Sequence, residues 1–153
     1  MKKLIAFLVL AGSGAGFFLA ASNGYVPGVG GHKAVLIVKS RRFMECLKFK
    51  EFKEAARFHH PQDLKERPDI PKMLEDFFLI PPENLDVKDV RVDYVELDST
   101  RVRAKVRVTS TVEVLNRKET RDPEAMLYWR LENGEWYLDL RTTLERGRNP
   151  VGG

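Results

Sequence analysis

Few residues in this chain have the type and spacing that chemistry requires. His59 and His60 are adjacent. On a helix, neighbours diverge by about 100° around the axis, so this pair cannot ligate one metal ion from a single face. The i, i+4 histidine and paired-cysteine spacings of zinc sites are absent, and His32 stands alone after a glycine-rich stretch. The two neighbours therefore read as a helix end carrying solvated imidazoles, and no metal or cofactor is expected. Cys46 is the only cysteine. It cannot form an intramolecular disulfide, and beside Leu47 it reads as a core thiol, because a reactive one needs a lowered pKa and a partner base.

A basic row is the other conspicuous feature. Arg101, Arg103, Lys105 and Arg107 fall on one side of an alternating stretch, and Arg91, Arg130 and Arg141 extend the row on neighbouring stretches. Such a patch could meet an acidic protein or anionic headgroups. Glu96, Glu113, Glu132 and Asp139 are available as cross-strand partners, each pair contributing about 0.2–1 kcal/mol, so the row reads first as a solvated sheet face. The formal net charge is +4, and Lys2 and Lys3 supply two of those charges. The remainder is too weak to argue for nucleic-acid binding.

The elements that must position these residues follow from patterning. Lys2 and Lys3 precede an uncharged run from Leu4 to Ala21. Residues 1–22 therefore read as a signal peptide or a transmembrane anchor, two readings that length alone leaves open. Either places the rest of the chain on the far side of the membrane, which it meets through this segment. No cysteine follows the run, so lipid attachment is not expected. Residues 23–31, with four glycines and a proline up to Gly31, read as a flexible linker. Residues 32–144 form one domain, and 145–153 lack apolar pattern and read as a disordered tail.

Within the domain, Leu36, Ser40, Phe43 and Leu47 share a helical stripe, and a second short helix runs from about Glu51 to Phe58, with Phe52, Ala55 and Ala56 inward. His59-His60-Pro61 closes it, because a residue before proline disfavours helix. Ile70, Met73, Leu74 and Phe77 give a third helical stripe. After Leu85 the period changes to two. Val90, Val92 and Tyr94 share a face. Val102 to Val114 alternate apolar with polar over the longest strand, and Ala125, Leu127, Trp129 and Leu131 alternate over the next. Asn133-Gly134 is a two-residue hairpin signal before Trp136, Leu138 and Leu140. The expected fold class is α+β: three helices packed on a curved four-stranded antiparallel sheet.

This order, with a last hairpin reading W-R-L-E-N-G-E-W-Y-L from Trp129 to Leu138 and a helix junction E-C-L-K-F-K-E-F-K-E-A-A from Glu45 to Ala56, resembles the nuclear transport factor two-like (cystatin-like, ketosteroid isomerase-like) superfamily. The resemblance covers roughly residues 33–143 and implies a cone-like cavity between sheet and helices. Members include isomerases, dehydratases, ligand binders and non-catalytic modules, so the fold by itself fixes no function. An isomerase or dehydratase would need an acid or base in that cavity with a hydrogen-bond donor such as Tyr94, but the other inward positions are Val, Ala, Leu and Trp, and Asp93 and Asp139 alternate outward. The expected function is a non-catalytic extracytoplasmic module that binds a small apolar ligand or a partner protein. Phe43, Phe52, Phe77, Tyr94 and Trp129 are the expected cavity lining. A cavity enzyme or a structural membrane-surface protein is the alternative.

Overall fold

The computed structural model describes residues 31–146. The apolar run, most of the expected linker and residues 147–153 lie outside the described residues. The chain folds as helices α1 (Gly31–Lys48), α2 (Phe52–Ala56), α3 (Pro61–Glu66) and α4 (Ile70–Glu75), then a 3-10 turn over Pro82–Asn84. Strands β1 (Leu85–Leu97), β2 (Arg103–Val114), β3 (Glu119–Arg121), β4 (Glu124–Glu132) and β5 (Glu135–Leu138) follow, and α5 (Leu140–Arg146) closes the described chain. The α+β expectation holds. Helices pack on a curled antiparallel sheet of order β1-β2-β4-β5. β3 pairs with the end of β2 on the side that β4 also uses. It is in effect the first piece of β4, interrupted at Asp122-Pro123, where Ser110 N–H donates to the Pro123 carbonyl instead of to a regular ladder.

α1 carries its buried stripe as expected: Leu36, Ser40, Phe43, Met44 and Leu47 face the sheet. It starts at Gly31, the last residue of the expected linker, whose φ of 62° suits glycine. The inner face of β2 supplies Ala104, Val106, Val108, Val112 and Val114, and β4 adds Ala125, Leu127 and Trp129. Phe43, Phe58, Phe77 and Trp129 meet edge-on in sequence, with centroids 5.8 Å (Phe43–Phe58), 6.0 Å (Phe43–Phe77) and 6.3 Å (Phe58–Trp129) apart. This is the favoured arrangement of aromatic quadrupoles. The β4–β5 turn at Asn133-Gly134 has positive φ at both residues, 51° and 78°, as the expected hairpin requires.

The expected close of the second helix at His59-His60-Pro61 holds, but a further helix follows it, so that four helices rather than three precede the sheet, and two other local expectations are overturned. Proline at 61 ends one helix and begins another: His60 takes extended backbone, its Nδ1 accepts from Gln62 N–H at 3.1 Å, and Pro61 sits in the first turn of α3. His59 is not solvated but buried, at 1% exposure. Its Nδ1 lies 3.0 Å from the Ala56 carbonyl, so that nitrogen carries the proton, and Nε2 accepts from the Thr143 hydroxyl at 2.9 Å. Leu140 does not extend β5. Asp139 Oδ1 accepts from Arg141 N–H at 2.9 Å and starts α5, which runs into the expected tail.

Candidate functional site

β1 pairs with β2 through two register shifts, between Val87 and Asp89 and between Val92 and Tyr94. Each inserts one extra residue, and with a side-chain period of two, one extra residue turns every later side chain to the other face. Val90 and Val92 therefore pack inward, but Val95 and Leu97 take over that role after the second bulge. Tyr94 is turned out. It is 37% exposed, lies opposite Arg107, and has that guanidinium 4.7 Å from its ring centre. The expectation that Tyr94 lines an internal cavity is corrected on this ground. Asp93, near the bulge, accepts from the Thr109 hydroxyl. Of the other expected lining residues, Phe43, Phe77 and Trp129 are brought together and fully buried, and Phe52 packs against them, partly buried.

The concavity that does open to solvent lies elsewhere, as a groove of about 590 Å³ between α1, the end of α2 and β5. α1 contributes Val35, Val38, Lys39, Arg42 and Cys46, a stripe beside its buried one. Phe58 and Arg57 follow α2, and Trp136 forms the opposite wall. In the β4–β5 ladder Glu132 and Glu135 close the turn, so Trp136 and Leu138 direct their backbone groups away from β4. Leu138 N–H donates to the Phe58 carbonyl at 2.7 Å, and His59 forms a parallel bridge to Leu138. Two residues earlier, among the described residues, the edge is held by a side chain only. Lys39 Nζ donates to the Trp136 carbonyl at 2.8 Å and pairs with the Glu135 carboxylate. The Trp136 N–H points the same way. Its indole N–H donates to His32 Nδ1 at 3.0 Å, fixing that imidazole edge-on at the first turn of α1.

Burial, then Glu51 and Glu54, push the Cys46 thiol up, with Arg42 opposing, so it is protonated at neutral pH and a poor nucleophile. Burial pushes His59 down, against the Ala56 carbonyl, Asp63 and Asp139. It is a neutral packing group. A second, smaller recess of about 220 Å³ brings Glu96, Arg103, Lys105, Tyr128, Asp139 and Arg141 together. There the Arg141 guanidinium stacks 4.1 Å over the Tyr128 ring. Among the described residues no group of three or more potential metal ligands gathers, and no helix is long and apolar enough to cross a membrane.

No protein-family model matches the chain, and no curated protein matches it in sequence. Among solved structures it is similar to the crystal structure of the intermembrane space region of the chloroplast protein ARC6. That likeness has 13% identity over 64% of this chain and 91% of that one, with a TM-score of 0.27. At this level it speaks to neither function nor location.

Proposed function

We propose that the domain is a non-catalytic extracytoplasmic module of the nuclear transport factor two-like type that binds a partner protein, taking an extended segment of it along β5. The observation that carries this reading is the β5 edge at Trp136, whose backbone groups face an open groove and, among the described residues, are met only by the Lys39 ammonium. A strand edge of this kind is a template for an added strand, with main-chain hydrogen bonds supplying affinity and flanking pockets supplying specificity. Val35, Val38 and Phe58 offer the apolar contacts, while Lys39 and Arg57 on the rim are paired with Glu135 and Glu54, so main-chain bonds and apolar contacts rather than net charge select the segment. The interior supports a partner over a ligand held inside the cone, because the aromatic side chains expected to line a cavity fill it instead. The uncharged run from Leu4 to Ala21 supports the extracytoplasmic placement. A small apolar ligand is the second reading, and the groove volume favours it, since ligand sites span about 300–1,000 Å³.

A photo-crosslinking amino acid at Val38, in the full chain in its native host, separates these readings. Crosslinks to another polypeptide are expected from Val38 and not from Lys65, which lies exposed on α3. An adduct of small-molecule mass at Val38 supports the second reading. No adduct at Val38, or equal adducts at both positions, contradicts both.

A further inference from the structure

The outward edge of β5 is covered at two points by two different means. At Leu138 the cover is main chain. The Phe58 carbonyl accepts from Leu138 N–H at 2.7 Å and His59 bridges Leu138 in parallel, so this segment already acts as a short added strand. At Trp136 the cover, among the described residues, is the Lys39 ammonium, 2.8 Å from the carbonyl oxygen. An added strand would bring its own amide nitrogen to about 2.9–3.0 Å from the same oxygen. Nζ therefore stands where that strand's N–H must come.

Lys39 reaches this oxygen from the groove side of α1, with its side chain only 22% exposed. Its ammonium meets two acceptors on consecutive residues of β5, the Glu135 carboxylate and the Trp136 carbonyl. The two differ in kind. The carboxylate is a charged partner, whereas the carbonyl is neutral and belongs to the edge. An ammonium has three donors, so it can give up the carbonyl and keep the ion pair. Opening the edge therefore leaves no charge without a partner. An open strand edge pairs with any chain that reaches it unless it is blunted, and lysine is a residue that native sheets use to blunt it. Arg57, also on the groove wall, is engaged instead with Glu54.

We propose that Lys39 is a gate on the β5 edge: its ammonium holds the Trp136 carbonyl against unselected strands and withdraws onto Glu135 when a binding segment donates to that oxygen. This rests on the reading of β5 as a strand-accepting edge. The gate acts on main chain, so every incoming segment meets it alike. A segment opens it by gaining enough from Val35, Val38 and Phe58 to offset the bond that the ammonium gives up. Lys39 thereby restricts pairing to segments whose side chains fit the groove, and it keeps two copies of the chain from joining through their β5 edges. A plain clasp between α1 and β5 would act differently. It would work through the ion pair with Glu135, and its loss would loosen the groove rather than open the edge.

The test uses the full chain in its native host with the photo-crosslinking residue at Val38. Lys39→Met keeps an unbranched stem and removes the ammonium. At low expression its yield of crosslinks to polypeptide, whether a partner or a second copy, should exceed the parent's about tenfold, the weight of one charge-assisted hydrogen bond. Lys39→Arg restores a cationic donor and should bring the yield back toward the parent's. Glu135→Gln leaves the ammonium on the carbonyl and should stay well below Lys39→Met. Circular dichroism checks that each variant folds, and Lys39→Leu takes the place of Lys39→Met if that variant does not. The gate is overturned by a Lys39→Met yield at or below the parent's, or by a Glu135→Gln yield that matches it, as a clasp predicts. Crosslinks from Lys39→Met alone uphold the gate and contradict the partner reading. Equal crosslinks from parent and variant uphold the partner and remove the gate, and crosslinks from neither remove both.

Discussion

Replacing His59 by alanine should destabilise the domain by about 3–4 kcal/mol. The imidazole is 1% exposed and makes two hydrogen bonds, to the Ala56 carbonyl and from the Thr143 hydroxyl. Each contributes about 1 kcal/mol net. The void left by the ring, of roughly 50–60 Å³ at about 24 cal/mol per Å³, adds a little over 1 kcal/mol. For a domain of this size, that lowers the melting temperature by roughly 12 °C. Protonation gives an independent signature. Burial holds the folded-state pKa of His59 below its ordinary 6.5, so the unfolded chain binds more protons as the pH falls. Stability from this group is complete above about pH 6.5 and declines below it. Asp63, Asp139 and Arg130 are the charged groups that act on the ring, the carboxylates opposing the effect of burial and the guanidinium reinforcing it. Thermal melts of the full chain in detergent, followed by circular dichroism at pH 7.5 and 5.5, should show a lower melting point for the parent at the acid pH and a smaller difference for His59→Gln. The reasoning is refuted if His59→Ala melts within about 3 °C of the parent, or if His59→Gln keeps the full pH slope.

Ser40→Ala should stabilise the domain by about 1 kcal/mol in urea unfolding, since its hydroxyl is buried in α1 without a hydrogen-bond partner among the described residues and alanine is the better helix former; a loss of stability would show a partner at that oxygen. Tyr94→Ala should cost about 1 kcal/mol or less, the value of an exposed cation–π contact, whereas Trp129→Ala should cost about 3–5 kcal/mol. Equal costs would place Tyr94 inside after all. Cys46 should react with iodoacetamide at pH 7.5 more slowly than a free cysteine, because its thiol is half-buried and held protonated; mass spectrometry over time reads the rate, and labelling as fast as free cysteine would contradict the assignment.

What could be read in the sequence was whatever is set locally. The alternation from Ala104 to Val114 is set by one half-buried sheet face, and Asn133-Gly134 by the sterics of positive φ, so both were legible before any coordinates. The bulge before Tyr94 was not. No glycine marks it, and Val90, Val92 and Tyr94 keep their period of two straight through it, since the extra residue answers to the pairing with β2. His59 misled for a related reason: its partner Thr143 lies 84 positions away, and nothing local distinguishes a buried imidazole from a solvated one. The start of α5 did leave a signal, Asp139 at the N-cap and Arg141 bonded to Glu145 one turn on, hidden by the apolar alternation that runs through Leu140. The groove was beyond reach, because Lys39 and Trp136 stand 97 positions apart and an open strand edge exists only once the sheet order is known.

The central claim is that a partner strand adds to β5. The most direct measurement is amide hydrogen exchange at Trp136 in the full chain, alone and in complex with the polypeptide crosslinked from Val38. Strand addition predicts slowed exchange at Trp136 on binding, with Arg91 on β1 unchanged. Exchange at Trp136 that is the same in the free and bound chain would contradict it.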